Sequence, residues 1–301
     1  GRITGTKLHH QLAIFENDAL AWETEGTEAE LFCHLAALQH PHPQTVLVLG
    51  GGMEGLIREI QKYKPHRVDY VELNARMLKV LARHLPEDIR SSLGQPNVRT
   101  IFADPRRFLK NSGRYDLILV GMPEPSSAQA NRFYTGEFFK QCAARLNPGG
   151  ILALRLRTPE NLWTKPLVAR NAGIYGAART VFSSVLFLPG TPGVLTACNG
   201  PLPNTPEVMS QRLEKMKMDT RLVSPAYIRY LFTNDRFFRI RSLLERQPAT
   251  PNTDIRPVCY PYAFVLWLSK FFPRLALIDL PGITRKDLVK PPFLWLWAGL
   301  A

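Results

Sequence analysis

The stretch Val46-Leu47-Val48-Leu49-Gly50-Gly51-Gly52-Met53-Glu54-Gly55 constrains the fold more than any other. Four apolar residues run straight into glycines. Leu56, Ile57 and Ile60 then recur at helical spacing around Arg58 and Glu59. The pattern reads as strand, tight turn, helix. Gly50, Gly52 and Gly55 stand at the spacing of a nucleotide-binding turn. Glycine suits such a bend because it accepts positive φ and, lacking Cβ, lets backbone approach a ligand. The helix start that follows offers unpaired N–H groups to whatever lies there.

A glycine turn alone is equally a strand–helix corner with no ligand, so the acids that follow it matter. Val68-Asp69-Tyr70-Val71 reads as a second strand with Glu72 at its end. That is roughly the 20-residue offset of an acid that takes a ribose hydroxyl pair. Val98 to Phe102 reads as a third strand, closed by Ala103 and Asp104. Acids at successive strand ends line the crevice at the C-terminal edge of a parallel sheet. Asp104 discriminates between ligands: an acid after the third strand fits a purine amino group better than the second half of a dinucleotide. A dinucleotide dehydrogenase is the rival on fold alone, and fold alone does not settle function.

From 46 to 158 the alternation is regular. Strands are expected at 46–49, 68–71, 98–102, 116–120 and 151–156, and helices near 55–62, 74–85, 105–110 and 134–146. Asn147-Pro148-Gly149-Gly150 reads as a helix stop. Ser184–Leu188 and Gly193–Cys198 flank Pro189-Gly190-Thr191-Pro192 and read as a hairpin closing the sheet edge. The fold class expected is α/β: a doubly wound, mainly parallel seven-stranded sheet of the S-adenosylmethionine-dependent methyltransferase type. The expected domains are an N-terminal hairpin and helix over 1–45, a nucleoside-binding domain over 46–200 and a helical extension over 201–301. Within the first, residues 8–22 suggest a hairpin around Asn17-Asp18, and Glu28–Leu38 a helix. In the last, helices are expected at 206–218 and 225–246, a turn at Pro251-Asn252-Thr253-Asp254, and an apolar core or interfacial helix over Tyr262–Phe272.

Composition narrows the partners. With 45% hydrophobic and 21% charged residues the chain is ordinary globular material. Its four cysteines are far apart, and His34, His40 and His42 have no acid or thiol at ligand spacing. Neither a metal site nor a disulfide framework is indicated, and these histidines read as structural. The net charge is +13, yet no basic run interleaved with aromatics suggests nucleic acid. The end of the chain, Pro291 to Ala301, is apolar and carries Trp295 and Trp297 behind Arg285, Lys286 and Lys290. Tryptophan belts and flanking cations mark membrane interfaces and their cytoplasmic side; a segment folding back on the domain is the alternative. Having neither a start methionine nor a signal-peptide pattern, the chain is expected to be an excised piece.

Taken together, these residues resemble the spermidine synthase (aminopropyltransferase) family. The resemblance runs from about His10 to Leu156. It is carried by His10-Gln11, His34-Leu35 with His40-Pro41, Val46 to Gly52, Leu56-Ile57-Arg58-Glu59, Val71-Glu72, Asp104, Tyr115-Asp116-Leu117-Ile118 and Leu146 to Gly150. Asn252 to Pro257 and Val265-Leu266-Trp267 look like the bacterial variant fused to transmembrane helices. The resemblance implies decarboxylated S-adenosylmethionine, or S-adenosylmethionine, as co-substrate, with no metal. Glu72 would hold the ribose hydroxyls, Asp104 the adenine amino group and Gln11 the sulfur side, while Gly50, Gly51 and Gly52 would cradle the nucleoside. The implied partners are a small-molecule amine acceptor and, through flanking segments, the cytoplasmic face of a bacterial inner membrane. A homodimer is left open, and nucleic acid is not among the partners.

Two departures fall on the reacting half. The family's Gly-Gly-Gly-Asp-Gly places an acid on the aminopropyl amine, where this chain has Met53 with Glu54 beside it. The family's Asp-Ser-Ser-Asp-Pro follows the fourth strand, where this chain has Gly121-Met122-Pro123-Glu124-Pro125. Gly121 thus replaces the presumed base, and Glu124 keeps the second acid and becomes the candidate catalytic residue. Glu54 and Glu124, with longer arms, are the residues expected to compensate. The family's Tyr-His-Glu before the first helix is also degraded, to Glu28, Ala29 and Glu30. Three functions stay in view: aminopropyl transfer, methyl transfer from S-adenosylmethionine, and a non-catalytic nucleoside-binding module of a membrane protein.

Overall fold

The computed structural model describes residues 3–8, 11–16, 19–23, 27–81, 84–156, 158–159, 162–202, 205–247 and 249–277. The Trp-rich end and its three flanking cations lie outside these residues. The described chain forms two compact units.

The first unit comprises Gly1–Met122, Lys140–Glu160 and Phe182–Arg239. It opens with three antiparallel strands, β1 (Ile3–Leu8), β2 (Gln11–Glu16) and β3 (Ala19–Glu23), paired in that order. Helix α1 (Glu28–Ala37) follows, and then β4 (Thr45–Leu49), α2 (Leu56–Gln61), β5 (Arg67–Glu72), α3 (Ala75–Leu81) and α4 (Glu87–Leu93). Next come β6 (Val98–Phe102), α5 (Pro105–Asn111) and β7 (Tyr115–Val120). After α6 (Ala128–Asn131) and α7 (Gly136–Ala143), β8 (Leu146–Leu156) returns to the sheet; α8 (Lys165–Arg179) precedes β9 (Ser184–Leu188) and β10 (Gly193–Cys198). Four helices close the described chain: α9 (Pro206–Met216), α10 (Pro225–Thr233), α11 (Asp235–Arg246) and α12 (Cys259–Leu268).

The main sheet has seven strands in the order β6-β5-β4-β7-β8-β10-β9. Strands β4 to β8 are mutually parallel, while β10 runs antiparallel to β8 and to β9. The doubly wound expectation holds, and the Pro/Gly turn makes the hairpin that closes the edge. Strand order reverses between β4 and β7, which creates a switch-point crevice at their C-terminal ends. Val46, Leu47, Val48 and Leu49 are fully buried, as continuous apolar strands covered on both faces must be. Phe32, Leu35 and Leu38 pack with Val46, Val48, Leu117 and Leu119 in one core cluster.

Two polar devices fix this unit away from the crevice. Asp116 Oδ2 accepts from the Gln44 and Thr45 N–H groups at 2.9 and 2.8 Å, and its Oδ1 from Asn147 Nδ2 at 2.7 Å. That clasp ties together the starts of β4, β7 and β8. Glu59 of α2 lies between α1 and α2, with His34 Nε2 at 3.1 Å and Lys62 Nζ at 2.7 Å. Burial pushes its carboxyl up, but the hydrogen bonds from His34 and Lys62 outweigh that and hold it down at about 2. His34 is fully buried, with Nδ1 2.8 Å from the Tyr63 hydroxyl, so it is a structural histidine, as read from the sequence.

The second unit comprises Pro123–Phe139, Asn161–Val181 and Ile240–Ala301. Asn252 is its hub. Its side chain is fully buried, its Nδ2 donates to Tyr134 O at 2.8 Å, and its Oδ1 accepts from Val258 N at 3.0 Å. The backbone of Asn252 adds a bond to Gly173 O and accepts another from Gly136 N. The segment expected only as a turn thus supplies a buried cross-link.

Several element boundaries differ from expectation. The helix expected near 74–85 is α3, which ends at Leu81, and α4 follows it where no helix was expected. The stretch expected at 225–246 breaks at Asn234, whose Nδ2 donates to Tyr230 O while its Oδ1 accepts from Phe237 N, ending one helix and capping the next. Residues 147–150, read as a helix stop, belong to β8. Helix α8 had no counterpart in the pattern: residues 166–175 are buried on every side, so no polar stripe betrays it.

Candidate active site

The glycine bend follows β4 directly. Gly50 and Gly51 have φ of 70° and 73°, which only glycine adopts easily. Gly52 is required for a different reason: a Cβ there would sit 2.5 Å from the Tyr70 ring. The Gly50 N–H bonds Val71 O and the Gly121 N–H bonds Leu49 O, both at 2.9 Å, so the bend is stitched to β5 on one side and β7 on the other.

Tyr70 and Glu72 lie two apart on β5 and so share a face. The Tyr70 hydroxyl donates to Glu72 Oε2 at 2.6 Å, and the Asn74 N–H donates to Oε1 at 2.8 Å. Glu72 is buried. Burial first, and then the adjacent Glu72 carboxylate, push the Tyr70 phenol well above its ordinary range, so it stays a proton donor. Each Glu72 oxygen is thereby oriented. Tyr70 is a residue that sequence reasoning missed; its place two before Glu72 on one strand was the available signal.

Asp104 follows β6, and the Ala103 N–H ties that strand end to Glu72 O at 3.2 Å. Asp104 also caps α5: Oδ1 accepts from Arg106 N at 2.9 Å and Arg107 N at 3.2 Å, with Pro105 at the first helical position. Glu72 and Asp104 thus stand at the C-terminal ends of adjacent strands. Gln11 opens β2 opposite Leu8; its side chain lies outside the described structure.

The other side of the crevice departs further from expectation. Met53 is buried with Met77, Leu85 and Ile89 in a small apolar cluster, so the position expected to grip an amine is a core contact. Gly121 is closed to a side chain, because a Cβ there would lie 2.8 Å from Gly50 O and 3.0 Å from Leu56 Cδ1. Glu54 is ion-paired with Arg155, the penultimate residue of β8. Arg155 Nη2 also donates to Gly121 O at 3.3 Å. Arg155 was not foreseen, since nothing near it in the chain marks it; its neighbours come from β4 and β7.

Glu124 belongs to the second unit. Its Oε2 accepts from Arg170 Nη1 at 2.7 Å, and Arg170 is buried on α8, with Nε on Asn171 Oδ1 at 3.2 Å. Proton acceptance at Glu124 would have to share or break that pair. Glu30, of the degraded motif, lies in the first turn of α1; it accepts from the N–H groups of Arg221, Leu222 and Val223 and so anchors a loop. Among the described residues no cluster of three metal-ligating side chains occurs.

A family model described as spermine/spermidine synthase domain matches residues 25–185. The polyamine aminopropyltransferase of Methanocaldococcus jannaschii is 31% identical over 132 residues, which is 43% of this chain and 44% of that protein. That of Leptospira interrogans is 31% identical over 177 residues, 57% of this chain and 34% of that one. The chain spans about half or less of the length of these curated relatives. A crystal structure of spermidine synthase in complex with the transition-state analogue AdoDATO superposes with a TM-score of 0.67 at 16% identity, covering 81% of this chain and 88% of that one.

Proposed function

The chain belongs to the spermine/spermidine synthase family, and from that premise we propose that it transfers an aminopropyl group from decarboxylated S-adenosylmethionine to an amine. The carrying observation is the buried Glu72 carboxylate, oriented by Tyr70 beside the glycine bend. In this reading the Gly50–Gly52 backbone cradles the nucleoside and Glu72 accepts the two ribose hydroxyls. Asp104 takes the adenine amino group, and the sulfur side is assigned to Gln11 on the family resemblance alone.

The chemistry is a displacement. The amine nitrogen attacks the carbon beside the sulfonium, and the C–S bond breaks with its electron pair going to sulfur. Neutral methylthioadenosine leaves, and the nitrogen sheds a proton. A positioned base usually contributes about 10²–10⁴ in rate. Gly121 offers none, and the carboxylate named for that role in the sequence, Glu124, is paired with Arg170 within the other unit. Incubation with decarboxylated S-adenosylmethionine and a panel of di- and polyamines tests the proposal. Methylthioadenosine should accumulate in step with an aminopropylated product, and none above the protein-free background counts against it.

A membrane location is part of the same proposal. Phe264, Trp267, Phe271, Phe272 and Leu277 are exposed in and just after α12, with Lys270 and Arg274 exposed among them. Clustered aromatics interleaved with cations suit the interface of an anionic bilayer, here the cytoplasmic face of a bacterial inner membrane. Among the described residues no helix is long and apolar enough to cross a membrane. Co-sedimentation with phosphatidylglycerol vesicles but not phosphatidylcholine vesicles, lost in Trp267→Ser/Phe271→Ser, is the expected result.

A further inference from the structure

We propose that the end of the main sheet opposite the crevice is a docking face for an anionic lipid bilayer. The inference builds on the membrane location proposed above, but through residues of the first unit alone.

The sequence places the charge. Strands β4 to β8 are entered through loops 38–44, 62–66, 94–97, 112–114 and 144–145, and none of these contains an Asp or Glu. Lys64 and Arg114 are exposed in the loops, Arg67 and Arg99 at the starts of β5 and β6, and Lys110 at the end of α5. The carboxylates close by are already committed. Asp69 is buried and is met by both Arg67, at 3.7 Å, and Arg99, at 3.0 Å. Asp116 is held in its clasp by Gln44, Thr45 and Asn147. Arg114 donates to a neutral carbonyl, Leu146 O, at 2.8 Å, which leaves its charge intact. From α9 and the loop after it come one cation, Arg212 on Leu38 O, and one exposed acid, Asp219, whose carbonyl accepts from Lys62 Nζ. The surplus at this end is positive.

The other end of the same strands carries Glu54, Glu72 and Asp104. The six residues of β5 hold the two ends about 20 Å apart, against a screening length of about 8 Å at physiological salt. The basic end therefore attracts an anionic surface without cancelling the acids at the crevice, and docking by it leaves the crevice facing solution. Shape selects among polyanions. Helices α1, α2 and α5 reach this end by their C-termini, so none lies along it as a groove-reading helix does. Tyr63, the one Tyr, Phe or Trp in the five loops, is buried, so none is offered to a base. Short loops make a broad, shallow face, suited to a layer of phosphate headgroups, where each Lys or Arg multiplies affinity about fivefold.

Flotation of the full chain with vesicles of phosphatidylglycerol in phosphatidylcholine tests the face. Lys64→Gln/Lys110→Gln removes two exposed charges and none of the side-chain contacts above, and should weaken binding about 30-fold. Lys79→Gln/Arg107→Gln removes the same charge from exposed positions on α3 and in the first turn of α5, beyond a screening length from the face, and should leave binding within about twofold. Denaturant midpoints should be unchanged in both pairs. Equal weakening by the two pairs overturns the proposal, because net charge alone then explains the binding. If the lysine pair binds like the unaltered chain while Trp267→Ser/Phe271→Ser does not bind, the membrane location stands on α12 and the docking face falls. If the unaltered chain does not bind the vesicles, both fall. If the lysine pair loses a double-stranded oligonucleotide but keeps the vesicles, the face belongs to nucleic acid and the proposal is again overturned.

Discussion

The two rims of the switch-point crevice are built on opposite principles. Where β5 and β6 end, acids are held ready: Glu72 is aimed by Tyr70 and Asn74, and Asp104 is fixed at the head of α5. Where β7 and β8 end, the backbone closes up on itself. Gly121 abuts Gly50, and a guanidinium replaces open negative charge. The first rim keeps what a nucleoside needs, oriented acceptors for hydroxyl and amino donors. The second holds an Arg155–Glu54 ion pair and a backbone contact that leaves no room for a side chain at residue 121. A family fold can therefore keep the pattern of one half of a site while the other half departs from it.

The largest blow to this comparison should come at the first rim. Glu72→Ala should weaken methylthioadenosine binding by about 100-fold, the loss of two hydrogen bonds to a charged acceptor; retained affinity in calorimetry would remove the basis for treating the rims differently. Next is Gly121→Asp, which reinstates an acid at the second rim. The Gly50 carbonyl cannot yield as a side chain can, so overpacking should cost about 1–3 kcal/mol in denaturant midpoint experiments. No gain in methylthioadenosine release should accompany it; a faster enzyme would mean that the rim is not closed. A smaller effect sharpens the first rim: Tyr70→Phe keeps the ring under Gly52 but removes one hydrogen bond of about 1 kcal/mol, so methylthioadenosine binding should fall about fivefold with little loss of stability.

Away from both rims, pH should act through the buried carboxylate of α2. The folded-state pKa of Glu59 is held at about 2, below its ordinary 4.5. Its contribution to stability is thus complete above about pH 4.5 and is lost as pH falls toward 2. Unfolding midpoints should be flat in this respect from pH 8 to 5 and drop below pH 4.5. Glu59→Gln should remove that acid limb, at a cost of several kcal/mol at neutral pH for breaking a buried pair.

Much of the first rim was legible in the sequence because its signals are local. The bend, the strand after it and the acid at that strand's end are each read from fewer than a dozen consecutive residues, and the sheet order follows from their alternation. The second rim was legible only as a pair of absences. What fills them, Arg155 against Glu54, joins residues about a hundred positions apart, and no spacing rule connects a strand-end cation to a turn three strands earlier in the chain. Helix α8 escaped for the opposite reason: with Leu167, Val168, Ala172 and Ile174 all buried, period and contrast vanish together. The break at Asn234 did leave a mark, since Asn234-Asp235 is a capping sequence inside an apolar pattern, and weighting it would have divided the helix.

Asn252 sets an order on biosynthesis. Its side chain and backbone complete the carbonyls of Tyr134 and Gly173, residues made long before it. Until the ribosome has delivered residue 252, those groups lack their native partner and that unit's closing contacts do not exist. Long-range closure of this kind is slow relative to local helix formation. A nascent chain halted near residue 245 should therefore carry a finished β4–β7 core and a second unit still open to proteases, and delivery of residues 252–258 should be the step that seals that unit.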